Sequence, residues 1–372
     1  MPLASIRDVP GRLVAALAAS IVVVVGAPYV GQLRGAIQRT LPGQYRLIIG
    51  STIAVAIAAA LGAALVHIRD RRRLRYGLII AALVGGAIYA VMSATGNAAV
   101  DVVERFHFVE YGFITFLFYR VWQDRANAEA LLFPFLAGVI VGTIDEGFQW
   151  LIPARVGEWH DVLLDGAAVA CGLAFSLGLH PPSSLTFAVD ARTRRAIATF
   201  VVATVVMVAT FFHVVHLGHD VDGMEAGRFL SRYSADDLRD AARDRAERWK
   251  NDPPSILRRL SVEDHYLAEG LWHIQRRNEG TGLHTWRENL ILERFFDPVL
   301  QYPTYSTPSG ARWPAEQRAN AEAQYGHDPA PYVSNANPYP IYTWNPMAFW
   351  ASVAVVIAVA VFGIMKVGTS DR

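Results

Sequence analysis

The sequence predicts an all-α fold: a polytopic helical membrane bundle of about eight transmembrane helices, with a small extracytoplasmic domain between the last two spans. Hydrophobic residues make up 53% of the 372 residues and charged residues only 18%. Soluble domains carry about 25% charged residues. The apolar residues are concentrated in blocks of about 20 residues, the length that crosses a hydrocarbon core. One long segment has ordinary polarity, and its pattern is mostly helical and loop-rich.

The apolar blocks are the predicted membrane spans, and their length is the main criterion. They cover residues 13–30, 47–68, 76–93, 106–122, 131–152, 162–179, 196–215 and 347–365. The first block exceeds the apolar run of a typical signal peptide, about 7–15 residues, so it is predicted to remain as a membrane anchor. The fourth block carries His107 and Glu110, and the sixth carries Asp165.

Arginine distribution predicts the orientation, because loops on the cytoplasmic side are enriched in Arg and Lys. Residues 69–75 are rich in arginine, and further arginines follow the fourth and sixth spans. Both termini are therefore predicted to be cytoplasmic. The first loop, with Arg34, Arg39 and Arg46, does not follow this rule. The predicted domains are residues 1–217 as the transmembrane bundle, 218–345 as the extracytoplasmic domain, and 346–372 as the final transmembrane helix with a short cytoplasmic tail.

The overall charge excludes one class of protein, and the cysteine content excludes internal disulfide bonds. The chain has 34 Lys and Arg against 33 Asp and Glu, which gives a formal charge of +1. This balance excludes a strongly basic protein that binds nucleic acid through its phosphates. Cys171 is the only cysteine, so the chain cannot form an internal disulfide bond.

The extracytoplasmic domain is predicted to contain helices over 235–250, 262–278 and 284–300, followed by extended chain over 302–346. Ser234 and Ser261 each precede acidic residues at the spacing of a capping box. The residues His265, Glu269 and His273 recur at a spacing that permits zinc ligation. A half-buried amphipathic helix face is the favoured alternative, because the two histidines are too far apart for one ion. No metal site is therefore predicted, and cofactors are left open.

Ionisable residues interrupt the predicted spans, where each charge costs about 2.5–3.5 kcal/mol unless it finds a partner. They form three groups: Glu104, His107, Glu110 and Tyr111; then Asp145, Glu146, Gln149 and Arg155; then His160, Asp161 and Asp165. One explanation is structural, with Arg155 fastening three helices through the carboxylates. The convergence of so many polar groups on one side of the membrane favours a binding or reacting pocket.

These residues resemble the motif of the VanZ-like family of polytopic membrane proteins. That motif has a His followed by an aromatic residue and a Tyr, then Asp-Glu-x-x-Gln, then an Arg and an Asp at intervals of six. The sequence matches it at His107, Phe108, Tyr111, Asp145, Glu146, Gln149, Arg155 and Asp161, and Asp165 stands where the family usually has Asn. The resemblance covers roughly residues 76–179 and does not extend to the extracytoplasmic domain.

The resemblance implies a protein of the bacterial cytoplasmic (inner) membrane, in a family associated with resistance to glycopeptide antibiotics such as teicoplanin. The first predicted function is binding of a lipid headgroup or a lipid-linked cell-wall intermediate in an outer-leaflet polar pocket. Arg155 would pair with a phosphate or carboxylate, a task that suits its forked guanidinium. The other predicted ligand-binding residues are Tyr111, Asp145, Gln149 and Asp165.

The alternative function is a membrane-embedded hydrolase or transferase that acts on a lipid-linked substrate. Glu146 or His107 would then be the general base, and Asp161 would orient His107 or His160. Arg155 would stabilise the negative charge that develops during the reaction. In both cases the predicted partners are membrane lipids or lipid-linked intermediates, and not nucleic acid. Whether the protein is an enzyme is left open.

Overall fold

A computed structural model describes residues 9–366 except 95, 97, 126, 127 and 183–188; the side chains of residues 98–100, 103 and 104 are also not described. Within these residues the chain forms thirteen α-helices and three short β-strands. The residues divide into two compact units. The first comprises the residues up to Phe148, then Trp159–Phe211, and those from Trp350 onward, whereas the second comprises Gln149–Glu158 and Phe212–Phe349.

Long helices form the first unit because their sequences are almost uninterrupted runs of Ala, Leu, Ile and Val. They are α1 (Val9–Thr40), α2 (Tyr45–His67), α3 (Arg72–Met92), α4 (Ala98–Trp122), α5 (Glu129–Leu151), α6 (Trp159–Leu179) and α7 (Ala191–His216). Pro28 lies inside α1 and Pro134 inside α5. Helices that span membranes tolerate such prolines, because neighbouring helices and local adjustments satisfy the freed backbone groups.

Small residues bring the helices of the first unit into close contact. α6 packs against both α3 and α4, and α4 packs against α1 and α2. A side chain at Gly85 would meet the Sγ of Cys171, and one at Gly86 would meet the ring of Phe108. Close approach of small residues is the usual way in which helices associate in membranes.

The tightest of these contacts predicts the effect of a single methyl group. A Cβ atom at Gly172 on α6 would lie 2.6 Å from the Cα of Gly112 on α4. Because the opposing atom belongs to the backbone, α4 and α6 must separate, and Gly172→Ala is expected to destabilise the bundle by about 1–3 kcal/mol. Thermal unfolding in detergent measures this loss. Gly166→Ala on the same helix is the control, since nothing lies within 4 Å of its Cβ position; equal melting temperatures for the two variants would contradict the prediction.

Five helices and three short strands form most of the second unit. They are β1 (His219–Asp222), β2 (Arg228–Ser231), α8 (Ala235–Arg248), α9 (His265–Glu279), α10 (Leu283–Phe295), α11 (Asp297–Gln301), α12 (Ala315–Tyr325) and β3 (Val333–Ser334). β1 pairs antiparallel with β2, and β2 pairs parallel with β3. The hydrophobic core contains the fully buried residues Phe229, Leu238, Tyr266, Ile291 and Phe296. This unit therefore has an aromatic-rich hydrophobic core of its own.

The last described helix is α13 (Pro346–Lys366). Among the described residues, seven helices are long and apolar enough to cross a membrane: α1, α2, α3, α5, α6, α7 and α13. The chain therefore has the all-α, membrane-like bundle that its composition predicts. α4 is not among the seven, because Glu110 and Arg120 lower the hydropathy of its apolar part. The total of eight spans stays a prediction.

The second unit differs from the prediction in three places. α9 begins at His265, because Asp264 rather than Ser261 caps it by accepting the Leu267 N–H at 3.3 Å. The predicted third helix is interrupted at Phe296, so α10 ends at Phe295 and α11 begins at Asp297. Pro298 lies in the first turn of α11, because it cannot donate the N–H that a continuous helix requires. α12 lies within the segment predicted to be extended. By contrast, α8 begins with the predicted capping box between Ser234 and Asp237.

Candidate functional site

A buried tyrosine is the centre of the polar cluster in the first unit. Tyr111 on α4 has no exposed surface, and its hydroxyl donates a hydrogen bond to Oδ2 of Asp145 on α5 at 3.1 Å. The hydroxyl of Thr115, one turn further along α4, donates to the Tyr111 carbonyl at 2.7 Å. The sequence predicted Tyr111 and Asp145 as ligand-binding residues, and the structure brings them together.

Carboxyl groups surround Tyr111 on several sides. Glu110, Asp145, Glu146 and Asp165 all interact electrostatically with its phenol. Asp145 is 3% exposed and Glu146 is 1% exposed, and both have partners within the bundle. We call these four carboxyl groups, together with His107 and Tyr111, the acidic cluster. Three consecutive helices, α4, α5 and α6, supply it.

Asp165 on α6 is a buried member of the acidic cluster, and neighbouring atoms restrict the position of its carboxyl group. It is 1% exposed, and its Oδ1 lies 3.9 Å from Nδ1 of His107 on α4. Its Oδ2 is buried and has no hydrogen-bond partner among the described residues. α5 passes close to this oxygen only because residue 142 is glycine, since a Cβ there would lie 2.9 Å from Oδ2. The space around the carboxyl group of Asp165 therefore fits it closely. Only part of the hydrogen-bonding capacity of this group is used.

Four carboxyl groups in a largely buried space cannot all carry negative charge without compensation. Such a cluster is stabilised by protons or by a positively charged group, and it is a poor place for a phosphate. Asp161, one turn before Asp165 on α6, is half-buried and also has a partner. Its predicted role in orienting His107 stays a prediction, because the contact that the structure defines for His107 is with Asp165. The side chain of Glu104 lies outside the described residues.

The acidic cluster has no metal-ligand geometry. Within the described part of the chain, no three His, Cys, Asp or Glu side chains are arranged to hold a metal ion. His107, Glu110, Asp145 and Glu146 of the acidic cluster do not form such a group.

Gln149 and Arg155 belong to the second compact unit and are described separately. Gln149 is in the last turn of α5, and its side-chain carbonyl accepts a hydrogen bond from Nη2 of Arg155. The Nε of Arg155 is buried and has no hydrogen-bond partner among the described residues. Ala154, directly before Arg155, adopts a left-handed backbone conformation with φ of 62°. The guanidinium of Arg155 is therefore held by a neutral amide and retains donor capacity.

No protein-family model, curated protein or solved structure matches the chain. The similarity to the VanZ-like motif is a resemblance over the residues named above.

An aromatic stack in the second unit is a feature that the sequence did not reveal. The rings of Trp150 and His265 stack with centroids 4.1 Å apart, and the guanidinium of Arg232 lies 4.5 Å from the Trp150 ring. The indole N–H of Trp150 donates to the Tyr339 hydroxyl at 3.1 Å. Desolvation, reinforced by Arg232, lowers the pKa of His265 to about 3, so this imidazole is neutral. The sequence indicated only that His265 lies on an amphipathic helix, and not that it stacks on Trp150.

The three residues considered for zinc binding have separate partners. Glu269 accepts hydrogen bonds from the Ser231 hydroxyl at 2.6 Å and the Arg232 N–H at 3.1 Å. Nδ1 of His273 lies 2.7 Å from Oε2 of Glu288. Since His265 stacks on Trp150, the three side chains of α9 do not converge. The three side chains of α9 therefore pack against different residues of the second unit.

Glu263 predicts a pH dependence of the second unit. It is 9% exposed. Desolvation raises its pKa from 4.5 to about 7, and the nearby charge of Asp264 adds to this increase. The hydrogen bond from the Ala154 N–H lowers the pKa but does not cancel the effect of desolvation. A carboxyl group with a raised pKa in the folded state stabilises the fold below its unfolded pKa and loses that contribution as the pH rises through the folded value. Between pH 5 and pH 8, the wild type is expected to lose about 2 kcal/mol relative to Glu263→Gln.

Thermal unfolding of both proteins across this pH range measures the effect. The difference between the two proteins removes the contributions of other titrating groups, including His265. Parallel pH profiles for wild type and Glu263→Gln would show that Glu263 is not the group responsible.

Proposed function

We propose that the protein is a VanZ-like membrane protein of the bacterial cytoplasmic membrane that binds a lipid or a lipid-linked cell-wall intermediate. The observation that carries this proposal is the position of the acidic cluster beside an apolar groove on the same helix. A headgroup would occupy the cluster, and an acyl chain would occupy the groove. The resemblance to the VanZ-like motif supports an effect on sensitivity to glycopeptide antibiotics such as teicoplanin.

The groove has a volume of about 400 Å³ and is lined by α2, α3, α4 and α6. Small residues such as Ala60 and Gly112 leave the space, and Phe108 and Phe175 form part of its wall. Phe108 and Gly112 directly follow His107 and Tyr111 on α4. Because successive residues of a helix point to different sides, α4 presents the acidic cluster on one face and the groove on the next. This arrangement matches the two chemical parts of a lipid.

The chemistry of the acidic cluster selects the kind of headgroup. Carboxylates accept charge-assisted hydrogen bonds from ammonium groups and, more weakly, from hydroxyl groups. A headgroup that carries an amine would therefore compensate the negative charge of Asp145, Glu146 and Asp165. Arg155 remains the predicted partner of a phosphate or carboxylate. An amine-bearing lipid, or a lipid-linked intermediate with a free amine, is the ligand class that this charge pattern favours.

Native mass spectrometry of the purified protein tests the proposal. The protein is mixed with phosphatidylethanolamine or phosphatidylglycerol, and we expect retention of the amine-bearing lipid in preference to the anionic one. Ala60→Trp fills the groove and is expected to abolish retention. Ala59→Trp is the matched control, because Ala59 is exposed on the same helix and does not line the groove. Equal retention by both variants would refute the role of the groove.

The approach of His107 to Asp165 favours the enzymatic alternative as a second candidate. An imidazole oriented by a carboxylate is a common general base, although the separation of 3.9 Å is longer than a hydrogen bond. In this case the protein would be a hydrolase or transferase for a lipid-linked substrate. Glu146→Gln would then abolish turnover while ligand is still bound, whereas Arg155→Ala would weaken binding itself. A binding protein would show no product with any variant.

A further inference from the structure

The loop between α8 and α9, residues 249–264, exposes large aliphatic side chains. Ile256 is 72% exposed, Leu260 is 69% exposed and Val262 is 79% exposed. Single exposed aliphatic residues are common, but a cluster of them within one loop marks a contact surface for a protein or a membrane. We call residues 253–262 the aliphatic loop.

Hydrogen bonds hold the aliphatic loop in a defined shape. The carbonyl of Pro254 accepts the Tyr305 N–H at 2.7 Å. The N–H and the hydroxyl of Ser261 both donate to the Arg258 carbonyl, at 3.1 Å and 2.7 Å. The loop is thus fixed at both ends, and its aliphatic side chains remain outside although the hydrophobic core of the unit is nearby.

The loop is joined directly to the end of a membrane-length helix. The N–H of Glu263 donates to the carbonyl of Leu151 at 2.8 Å, and the Ala154 N–H donates to Oε2 of Glu263 at 3.1 Å. Leu151 is the last residue of α5, one of the seven helices able to cross a membrane. Because Val262 immediately precedes Glu263, the loop lies next to the last residue of α5.

Two arginines lie among the aliphatic residues. Arg258 and Arg259 fall between Ile256 and Leu260, and within the described residues neither forms an ion pair with an acidic side chain. The loop also forms one wall of a cavity of about 570 Å³, whose other lining residues include Trp249 and Tyr305. Aliphatic side chains combined with free arginines are typical of segments that insert into the interface of anionic membranes.

We propose that the aliphatic loop inserts into the membrane interface next to the end of α5. Ile256, Leu260 and Val262 enter the acyl region, and Arg258 and Arg259 bind the phosphates of anionic lipids. The occupant of this surface is the bilayer that the helices cross. The loop thereby fixes the second unit to the membrane at a point other than its chain connections, and this role is independent of the ligand of the acidic cluster.

Fluorescence of the full-length protein in lipid nanodiscs tests the insertion. Cys171→Ser supplies a background without cysteine, and Ile256→Cys is labelled with an environment-sensitive fluorophore. Val333→Cys is the matched control, because Val333 is 68% exposed and lies on β3 of the same unit. We expect blue-shifted emission and quenching by nitroxide-labelled acyl chains at position 256, and aqueous emission without quenching at position 333. Aqueous emission at 256, or equal quenching at both positions, would overturn the proposal.

A second arm tests the charge and the alternative occupants. Quenching at position 256 is expected to increase when phosphatidylglycerol is added to phosphatidylcholine nanodiscs, and the combined Arg258→Gln and Arg259→Gln variant is expected to lose that increase. An unchanged response in the variant overturns the assignment of the arginines to lipid phosphates. Blue-shifted emission without lipid quenching would indicate contact with a second copy or another protein, and it also overturns the proposal.

Discussion

Glu288→Ala is expected to destabilise the second unit by about 3–5 kcal/mol, because it removes one partner of a buried charged network. Glu288 has no exposed surface. Its Oε2 lies 2.7 Å from Nδ1 of His273, and its Oε1 accepts hydrogen bonds from the hydroxyls of Tyr332 and Ser334, both at 2.5 Å. Without the carboxylate, the polar atoms of α9 and of the segment that contains β3 lose their common acceptor. The unit then contains three unsatisfied buried groups and a cavity.

Thermal unfolding of the purified protein measures this cost, with Glu316→Ala as control. Glu316 is exposed at the start of α12, so its replacement is expected to change stability by less than about 0.5 kcal/mol. Glu288→Gln is a second informative variant, since it keeps the shape and an acceptor but loses the charge. A melting temperature for Glu288→Ala equal to that of Glu316→Ala would contradict the prediction.

Acid sensitivity gives the same network a second readout. Burial raises the pKa of Glu288, but the hydrogen bond and charge of His273, with Ser334 and Tyr332, more than compensate and keep it below its ordinary value of 4.5. A depressed carboxyl pKa stabilises the fold above the unfolded pKa, and the contribution is lost as the pH falls through the folded value. The wild type is therefore expected to lose stability below about pH 4.5 relative to Glu288→Gln.

Much of the fold follows from local composition. The blocks of Ala, Leu, Ile and Val form long helices because their composition is favourable both for helix formation and for the hydrocarbon core. The capping box at Ser234 predicted the start of α8, since capping depends on neighbouring residues alone. The division between α10 and α11 had a local signal as well, because Pro298 lacks the N–H that a continuous helix requires.

Pairing between distant segments could not be predicted. β1 pairs with β2, and β2 pairs with β3 more than 100 residues later, as in Arg228 with Val333. Strands of two to four residues carry too little pattern to identify their partners. α12 was missed because the surrounding Pro, Tyr and Asn residues are typical of extended chain. Two buried partners of Glu288, Tyr332 and Ser334, were also missed, because they lie in β3 or directly before it.

In the candidate site, too, the spacing of residues within a helix could be predicted, whereas contacts between helices could not. Helical spacing indicated that His107 and Tyr111 lie near one another, and that Asp145 and Glu146 lie deep in α5. It did not specify that Tyr111 pairs with Asp145, or that Asp165 lies beside His107. Asp161 and Asp165 differ by one turn, about 6 Å along the helix axis, and only the packing of α4 on α6 determines how each lies relative to the histidine.

Asp165→Asn is expected to separate binding from stability. Asp165 is buried, its Oδ2 has no hydrogen-bond partner among the described residues, and other carboxyl groups lie around it. Removing its charge relieves repulsion, so the variant is expected to be as stable as the wild type or more stable by about 1–2 kcal/mol. Asn is also the residue that the VanZ-like motif usually has at this position, which implies that an amide fits there.

Binding of an amine-bearing lipid is expected to become about 100-fold weaker, because the ammonium group loses a buried charged partner worth roughly 2–5 kcal/mol. Asp190→Asn is the control, since Asp190 is exposed outside the acidic cluster and Asn can still accept the hydrogen bond from the Thr193 N–H. Lipid titration followed by native mass spectrometry, together with thermal unfolding, gives both quantities. If Asp165→Asn unfolds the protein, the cluster fastens the helices; if binding and stability are both unchanged, Asp165 does not contact the ligand. A stable protein that has lost its lipid is the result that identifies the acidic cluster as a binding site, because a purely structural role for Asp165 predicts a loss of stability in this variant.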